Sequence, residues 1–172
     1  RERAQGTLER LFTSPIRRHE IILGYILGFS STALLQTAIV LGVAITLFQL
    51  VVRGSLLAAF GFVLLFSIGS LGLGILLSTG VRSELQALQL VPLVIMPQLL
   101  LSGVFWPVEA IPYPLNFVSN IIPLTYLIDA LRTIMVRGTI LTATYIDLAV
   151  IILYTAVMIG IATRVMRREI SP

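Results

Sequence analysis

Groups able to do chemistry are scarce in this chain of 172 residues. His19 is its one histidine, cysteine is absent, and all 12 basic side chains are arginine. Without Cys, no disulfide framework or thiolate metal site can form. A single His argues against a zinc centre or a nucleophilic triad. ATP hydrolysis by a phosphate-binding loop needs that motif's lysine, which the chain lacks. Asp129 and Arg132 are spaced for a local ion pair on a helix. Glu109 stands in an apolar, proline-rich stretch, either as a solvated charge or as part of a gate. The remaining polar chemistry is that of amides. Gln36, Gln49, Gln86, Gln89 and Gln98 lie in apolar runs, where an amide bonds a neighbouring helix or meets a ligand. Gln36 and Gln89, with the aromatic Phe105 and Trp106, are the candidates for a substrate path.

The elements that must position these groups are membrane helices. Apolar residues make up 57% of the chain and charged residues 12%, about half the share in a soluble domain. The excess of arginine over the 8 acids therefore speaks of membrane topology rather than of nucleic acid. A crossing needs about 20 mostly apolar residues. Four segments are expected to cross: 21–50, 55–79, 85–104 and 145–165. Their backbone groups must be satisfied within each segment, so they are helices. Continuous rather than alternating apolar runs argue against a β-barrel. The chain begins with Arg1 and shows no signal-peptide pattern, so an upstream part is expected to be missing.

With the N-terminal stretch inside, Arg1, Arg3, Arg10, Arg17, Arg18, Arg82, Arg164, Arg167 and Arg168 fall on one side. Only Arg53, Arg132 and Arg137 fall on the other, which predicts that both ends are cytoplasmic. Between their ends the spans carry no Asp, Glu, Lys, Arg or His; Glu20, Glu84 and Asp147 sit at boundaries. Ion-coupled carriers place such groups at mid-membrane to hold the coupling ion. Energy must then come from elsewhere.

In the lead-in, Leu8, Leu11 and Phe12 share one face of a short helix that Pro15 ends. That helix either lies on lipid headgroups or docks into a groove on a cytoplasmic partner. Pro92 and Pro97 should kink the third span. The stretch from Val104 to Pro114 is apolar yet cannot form a regular helix. It reads as a re-entrant external loop or as an aromatic-belt anchor. Residues 123–137 predict an amphipathic interfacial helix with Leu124, Leu127, Ile128, Leu131, Ile134 and Met135 on its apolar face, capped by Gly138. Small residues predict close helix contacts along Gly24, Gly28 and Thr32 in the first span, and along Ser70, Gly74 and Ser78 in the second.

Three stretches, in order, resemble the permease subunits of type-2 ATP-binding-cassette exporters. Glu2 to Pro15 resembles the cytoplasmic signature read as "ERGTLEQLLVTP". Leu101 to Pro112 is similar to "LSGFLFPIEAMP". Pro123 to Arg132 is similar to "PLTYFLEALR". Together with the intervening spans the likeness covers nearly the whole chain. Tyr25 stands where many members have Lys after Leu-Gly.

The resemblance implies an all-α polytopic bundle in which residues 1–172 are the C-terminal part of one permease domain and the four spans are the last four of six. Segment 1–15 would be a coupling helix, with Gly6, Thr7, Leu8, Glu9, Leu11 and Phe12 against an ATP-binding subunit. Segment 105–138 would form the external loop and helix, carrying Glu109, Asp129 and Arg132. The chain itself would be no enzyme and hold no cofactor, ATP and Mg residing on the partner ATPase. A second permease subunit would complete a homo- or heterodimer in a bacterial or archaeal cell membrane, with no nucleic acid as partner. The expected cargo is amphipathic or hydrophobic, a drug, antibiotic or lipid-like molecule moved by alternating access. The competing readings are a polysaccharide exporter permease and a non-transporting scaffold or regulator partnered with an ATPase.

Overall fold

A computed structural model describes residues 18–81, 83–138 and 144–169. The expected coupling segment 1–15 lies outside them. Every regular element among the described residues is helical. Helix α1 spans Arg18–Thr46, α2 Leu56–Gly80, α3 Glu84–Leu101, α4 Leu115–Ser119, α5 Pro123–Leu131 and α6 Tyr145–Glu169. A 3-10 turn, Val108–Ala110, precedes α4, and a π-helical turn, Arg132–Arg137, extends α5.

Three apolar stretches are long enough to cross a bilayer: Leu27–Thr46, Leu56–Gly80 and Tyr145–Val165. The third expected span is shorter than its sequence suggests. Its apolar helix, Leu85–Leu101, has 17 residues and rises about 25 Å, against a hydrocarbon core of about 30 Å. It runs through Pro92 and Pro97 and ends three residues before the expected limit at 104. The Ser102 N–H still reaches the Gln98 carbonyl at 3.0 Å, but Gly103 then turns the chain with φ +86°. The first span likewise stops at Thr46 rather than 50, where Gln49 takes φ +49°. Capping hydroxyls fix two helix starts: Ser55 accepts from the Ala58 N–H and Ser83 from the Gln86 N–H, each at 3.2 Å.

Helices α2 and α6 form the central pair. Their backbones meet where α2 offers Gly69 and Gly72. A Cβ on Gly69 would come within 2.8 Å of Tyr154 and Thr155, and one on Gly72 within 3.0 Å of the Met158 backbone. Across the same seam the Thr155 hydroxyl donates to the Leu65 carbonyl at 3.0 Å, and Phe66 stacks on Tyr154 at 5.5 Å. A backbone carbonyl already engaged in its own helix thus accepts a second bond, satisfying a hydroxyl that apolar surroundings would otherwise leave unpaired.

The core lies at one end of this pair. Ala59 and Phe62 of α2 and Ile151 of α6 pack with Leu127 and Ala130 of α5 and with Ile134 and Met135 of the π turn. Four of these seven come from the expected amphipathic helix. Its apolar face therefore meets protein, where the sequence predicted a lipid interface. The widened turn brings Thr133, Ile134 and Met135 all into the buried layer, and the Met135 carbonyl accepts from the Arg53 N–H at 3.0 Å. Gly138, at φ +68°, ends the element as the predicted C-cap.

Candidate functional site: an apolar groove and a polar cavity

Between α1 and α2 runs a groove of about 490 Å³. Thr32 and Gln36 line it from α1, and Ser67, Ser70, Gly74 and Ser78 from α2. Phe29, Phe66, Leu71 and Ile75 make most of the rest, so the lining is chiefly apolar and holds no charged side chain. The hydroxyls are partly committed: Thr32 donates to the Gly28 carbonyl, Ser67 to Val63 and Ser78 to Ile75, at 2.8–3.0 Å. The Gln36 amide, exposed on α1, is the longest polar reach into the groove.

These are the small-residue faces that the sequence assigned to close helix contact. Within the chain the glycines of these faces make no close approach to another helix. A Cβ on Gly24, Gly28 or Gly74 would meet no heavy atom within 4 Å. The close approach is made by Gly69 and Gly72, which sit on a different face of α2. Small residues at four-residue spacing occur on several faces of these glycine-rich helices, and periodicity does not say which face has a partner.

The second hollow lies beneath the 102–138 segment and measures about 220 Å³. Glu109 reaches it from the 3-10 turn, Asp129 and Arg132 from α5 and its extension, and Asp147 from the first turn of α6. Neutral polar groups from Ser102, Asn120, Thr125 and Tyr126 complete it. The Tyr126 hydroxyl donates to the Asn120 carbonyl at 2.7 Å, and Thr125 donates to the Ser119 carbonyl at 2.7 Å, which pins α5 to the end of α4. Arg132 does not close the expected ion pair with Asp129. Its guanidinium donates to the Gly103 carbonyl at 3.0 Å, tying α5 to the turn that ends α3. The reason is geometric: an unpaired carbonyl at a left-handed turn lies within reach, and a charge-assisted bond there is worth more than an exposed i, i+3 pair.

The structure thus brings Glu109, Asp129 and Arg132 together and adds Asp147. Asp147 was legible as an acid at the edge of the last span, but its convergence with acids 18 and 38 residues upstream was not. The other candidates are dispersed. Gln36 lies in the groove, whereas Gln89 is exposed on α3 and lines neither hollow. Phe105 and Trp106 are exposed, with their rings tilted at 39° and 6.0 Å apart, and they too line neither. Gly6, Thr7, Leu8, Glu9, Leu11 and Phe12 fall outside the described residues. Among the described residues, no group of acids and histidines is arranged to hold a metal ion.

A helical membrane protein with an uncharged intramembrane groove is a class to which many transport proteins belong, and comparison narrows it. The profile of the ABC-2 type transporter family matches residues 1–136, and the chain belongs to that family. It is 30% identical over 170 residues to the "Probable multidrug ABC transporter permease YbhR" of Escherichia coli, covering 99% of this chain and 46% of that protein. It is 32% identical over 138 residues to ABC transporter G family member 20 of Dictyostelium discoideum, covering 80% of this chain and 19% of the relative. The linearmycin resistance permease protein LnrN of Bacillus subtilis is 28% identical over 140 residues, or 81% of this chain and 36% of its own length. The chain therefore spans less than half the length of each of these relatives. No solved structure matches it.

Proposed function

We propose that this chain forms part of the membrane permease of an ATP-driven exporter of amphipathic or hydrophobic molecules. The observation that carries this reading is the α1–α2 groove, apolar over most of its lining, hydroxylated along one side and free of charge. Such a surface suits a molecule with a greasy body and a few hydrogen-bonding groups. A fully charged or strongly hydrated cargo would find no compensation there for its lost water. The relatives' names, multidrug permease and linearmycin resistance permease, point the same way.

No Asp, Glu, Lys, Arg or His lies between the ends of α1 and α2, so these helices offer no charged site for a coupling proton or ion. The driving force then comes from an ATP-binding subunit that holds ATP and Mg. Segment 1–15 acts as the coupling helix, docking Leu8, Leu11 and Phe12 into a groove of that subunit, with Glu9 as a polar contact. The four spans cross with both ends cytoplasmic, and α3 completes its crossing with the 102–104 turn. Two permease subunits pair around the cargo path. Nucleotide-driven closure biases a two-state bundle between inward- and outward-facing forms, which requires the ATPase to bind one form better than the other.

The test is ATPase activity of the full permease reconstituted with its ATP-binding subunit. Hydrophobic compounds should stimulate it, and Ser70→Phe, which fills the groove, should abolish stimulation while leaving basal turnover intact. Stimulation by a hydrophilic polymer alone would overturn the reading.

A further inference from the structure

The cavity under the 102–138 segment has more negative charge than it neutralises. Three carboxylates line it, Glu109, Asp129 and Asp147, and one cation, Arg132, whose guanidinium is engaged by the Gly103 carbonyl. No ion pair joins Arg132 to any of the three among the described residues. Asp147 is the telling member. Its side chain is 8% exposed, and no described residue donates a hydrogen bond to its carboxylate. Among the described residues no sealed polar side-chain atom lacks a partner. The Asp147 oxygens must therefore open into the cavity itself. A nine-tenths-buried carboxylate facing another across a small hollow is costly unless a cation comes between them.

From this geometry we infer that the cavity under the 102–138 segment binds an organic ammonium group through Asp147, Asp129 and Glu109. A chelated metal does not fit, because the acids are not grouped for one. A primary ammonium does. It presents three donors in different directions to carboxylates that arrive from three separate elements, and its N–H···O contacts of about 2.7–3.2 Å let those oxygens stand farther apart than metal–oxygen bonds of about 2.0–2.6 Å would. About 220 Å³ admits the ammonium with a short alkyl stem, and Val108 and Ile128 give that stem apolar wall. The amine could belong to a solute or to a lipid headgroup; the chemistry is shared. This inference is independent of the transport reading, since it concerns equilibrium binding alone.

The experiment is a saturation-transfer NMR titration of n-butylammonium against the full-length protein in phosphatidylcholine nanodiscs, with n-butanol as the neutral isostere. Saturable binding of the ammonium and none of the alcohol is expected. Asp147→Asn and Asp129→Asn should each weaken binding at least tenfold, the scale of a lost charge-assisted hydrogen bond. Glu109→Gln should weaken it about threefold, and because Asp129 and Glu109 are both exposed, their variants carry the test should Asp147→Asn fail to fold. Repeating the titration with phosphatidylethanolamine present separates the sources. Weaker apparent binding there identifies a lipid amine as occupant, unchanged binding identifies a soluble one, and either supports the site. Equal signals from the ammonium and the alcohol would overturn it. So would variants that bind like the parent, or calcium binding that depends on the same three carboxylates.

Discussion

Replacing Gly72 by leucine tests whether α2 and α6 are held at backbone contact. A Cβ at residue 72 would sit 3.0 Å from the Met158 carbonyl carbon, 3.1 Å from the Met158 Cβ and 3.2 Å from the Ile159 nitrogen. Ordinary carbon contacts lie at about 3.5–4.0 Å, so the helices must part by roughly 0.5 Å for the first carbon alone. Backbone cannot rotate aside as a side chain can, and three further carbons follow in leucine. Overpacking of this kind costs about 1–3 kcal/mol. Parting the seam also weakens the Thr155–Leu65 hydrogen bond, worth roughly 0.6 kcal/mol, and the Phe66–Tyr154 stack, worth about 0.5–1.5 kcal/mol. Relief of the glycine helix penalty returns somewhat less than 1 kcal/mol. A net loss of about 2–3 kcal/mol is expected. Equilibrium unfolding in mixed detergent micelles, followed by circular dichroism, reads it directly. Gly61→Leu is the control, because a Cβ there meets nothing within 4 Å and the same propensity gain applies. A Gly72→Leu protein as stable as the Gly61→Leu protein would refute the close-contact reasoning.

Thr155→Val should remove the bond to the Leu65 carbonyl at nearly constant volume and cost about 0.6–1.7 kcal/mol in the same unfolding assay. Gly138→Ala should destabilise by roughly 1–2 kcal/mol, since residue 138 holds φ +68° and a Cβ would press within 3.2 Å of Arg53; a neutral result would mean the cap relaxes freely. Arg132→Gln should loosen the link between α5 and the Gly103 turn, measured as faster amide exchange at 102–104, with a stability loss of about 1.5–3 kcal/mol. Leu11→Asp or Phe12→Asp should cut co-purification with the ATP-binding subunit at least tenfold by placing a charge in an apolar groove; undiminished co-purification would move docking elsewhere.

Much of this molecule is local in origin and so could be read from residue order. Long uncharged runs must become helices in lipid, because no water is there to satisfy the backbone. Gly138 after an amphipathic stretch reads as a stop, since glycine adopts a left-handed φ far more readily than residues with a Cβ. The family followed from three ordered motifs. The ends of the helices were less legible. Residues 47–50 continue the apolar run before them and 102–104 add no charge to theirs, so it is the turns at Gln49 and Gly103 that exclude them from helix.

Tertiary structure decided which faces meet. Helices α1 and α2 are apolar all round, so hydrophobicity singles out no side of either, and small residues mark several. Only packing shows that Gly69 and Gly72 close on α6 while Thr32, Gln36, Ser70 and Gly74 border open space. In the same way Arg132 had a partner three residues away by sequence, yet a carbonyl 29 residues away accepts its hydrogen bond. Asp147 reads in sequence as a boundary acid, and folding alone places it across a cavity from Asp129 and Glu109. Spacing along one helix is fixed by its 3.6-residue turn, whereas the meeting of two helices depends on every contact that sets their rotation and depth.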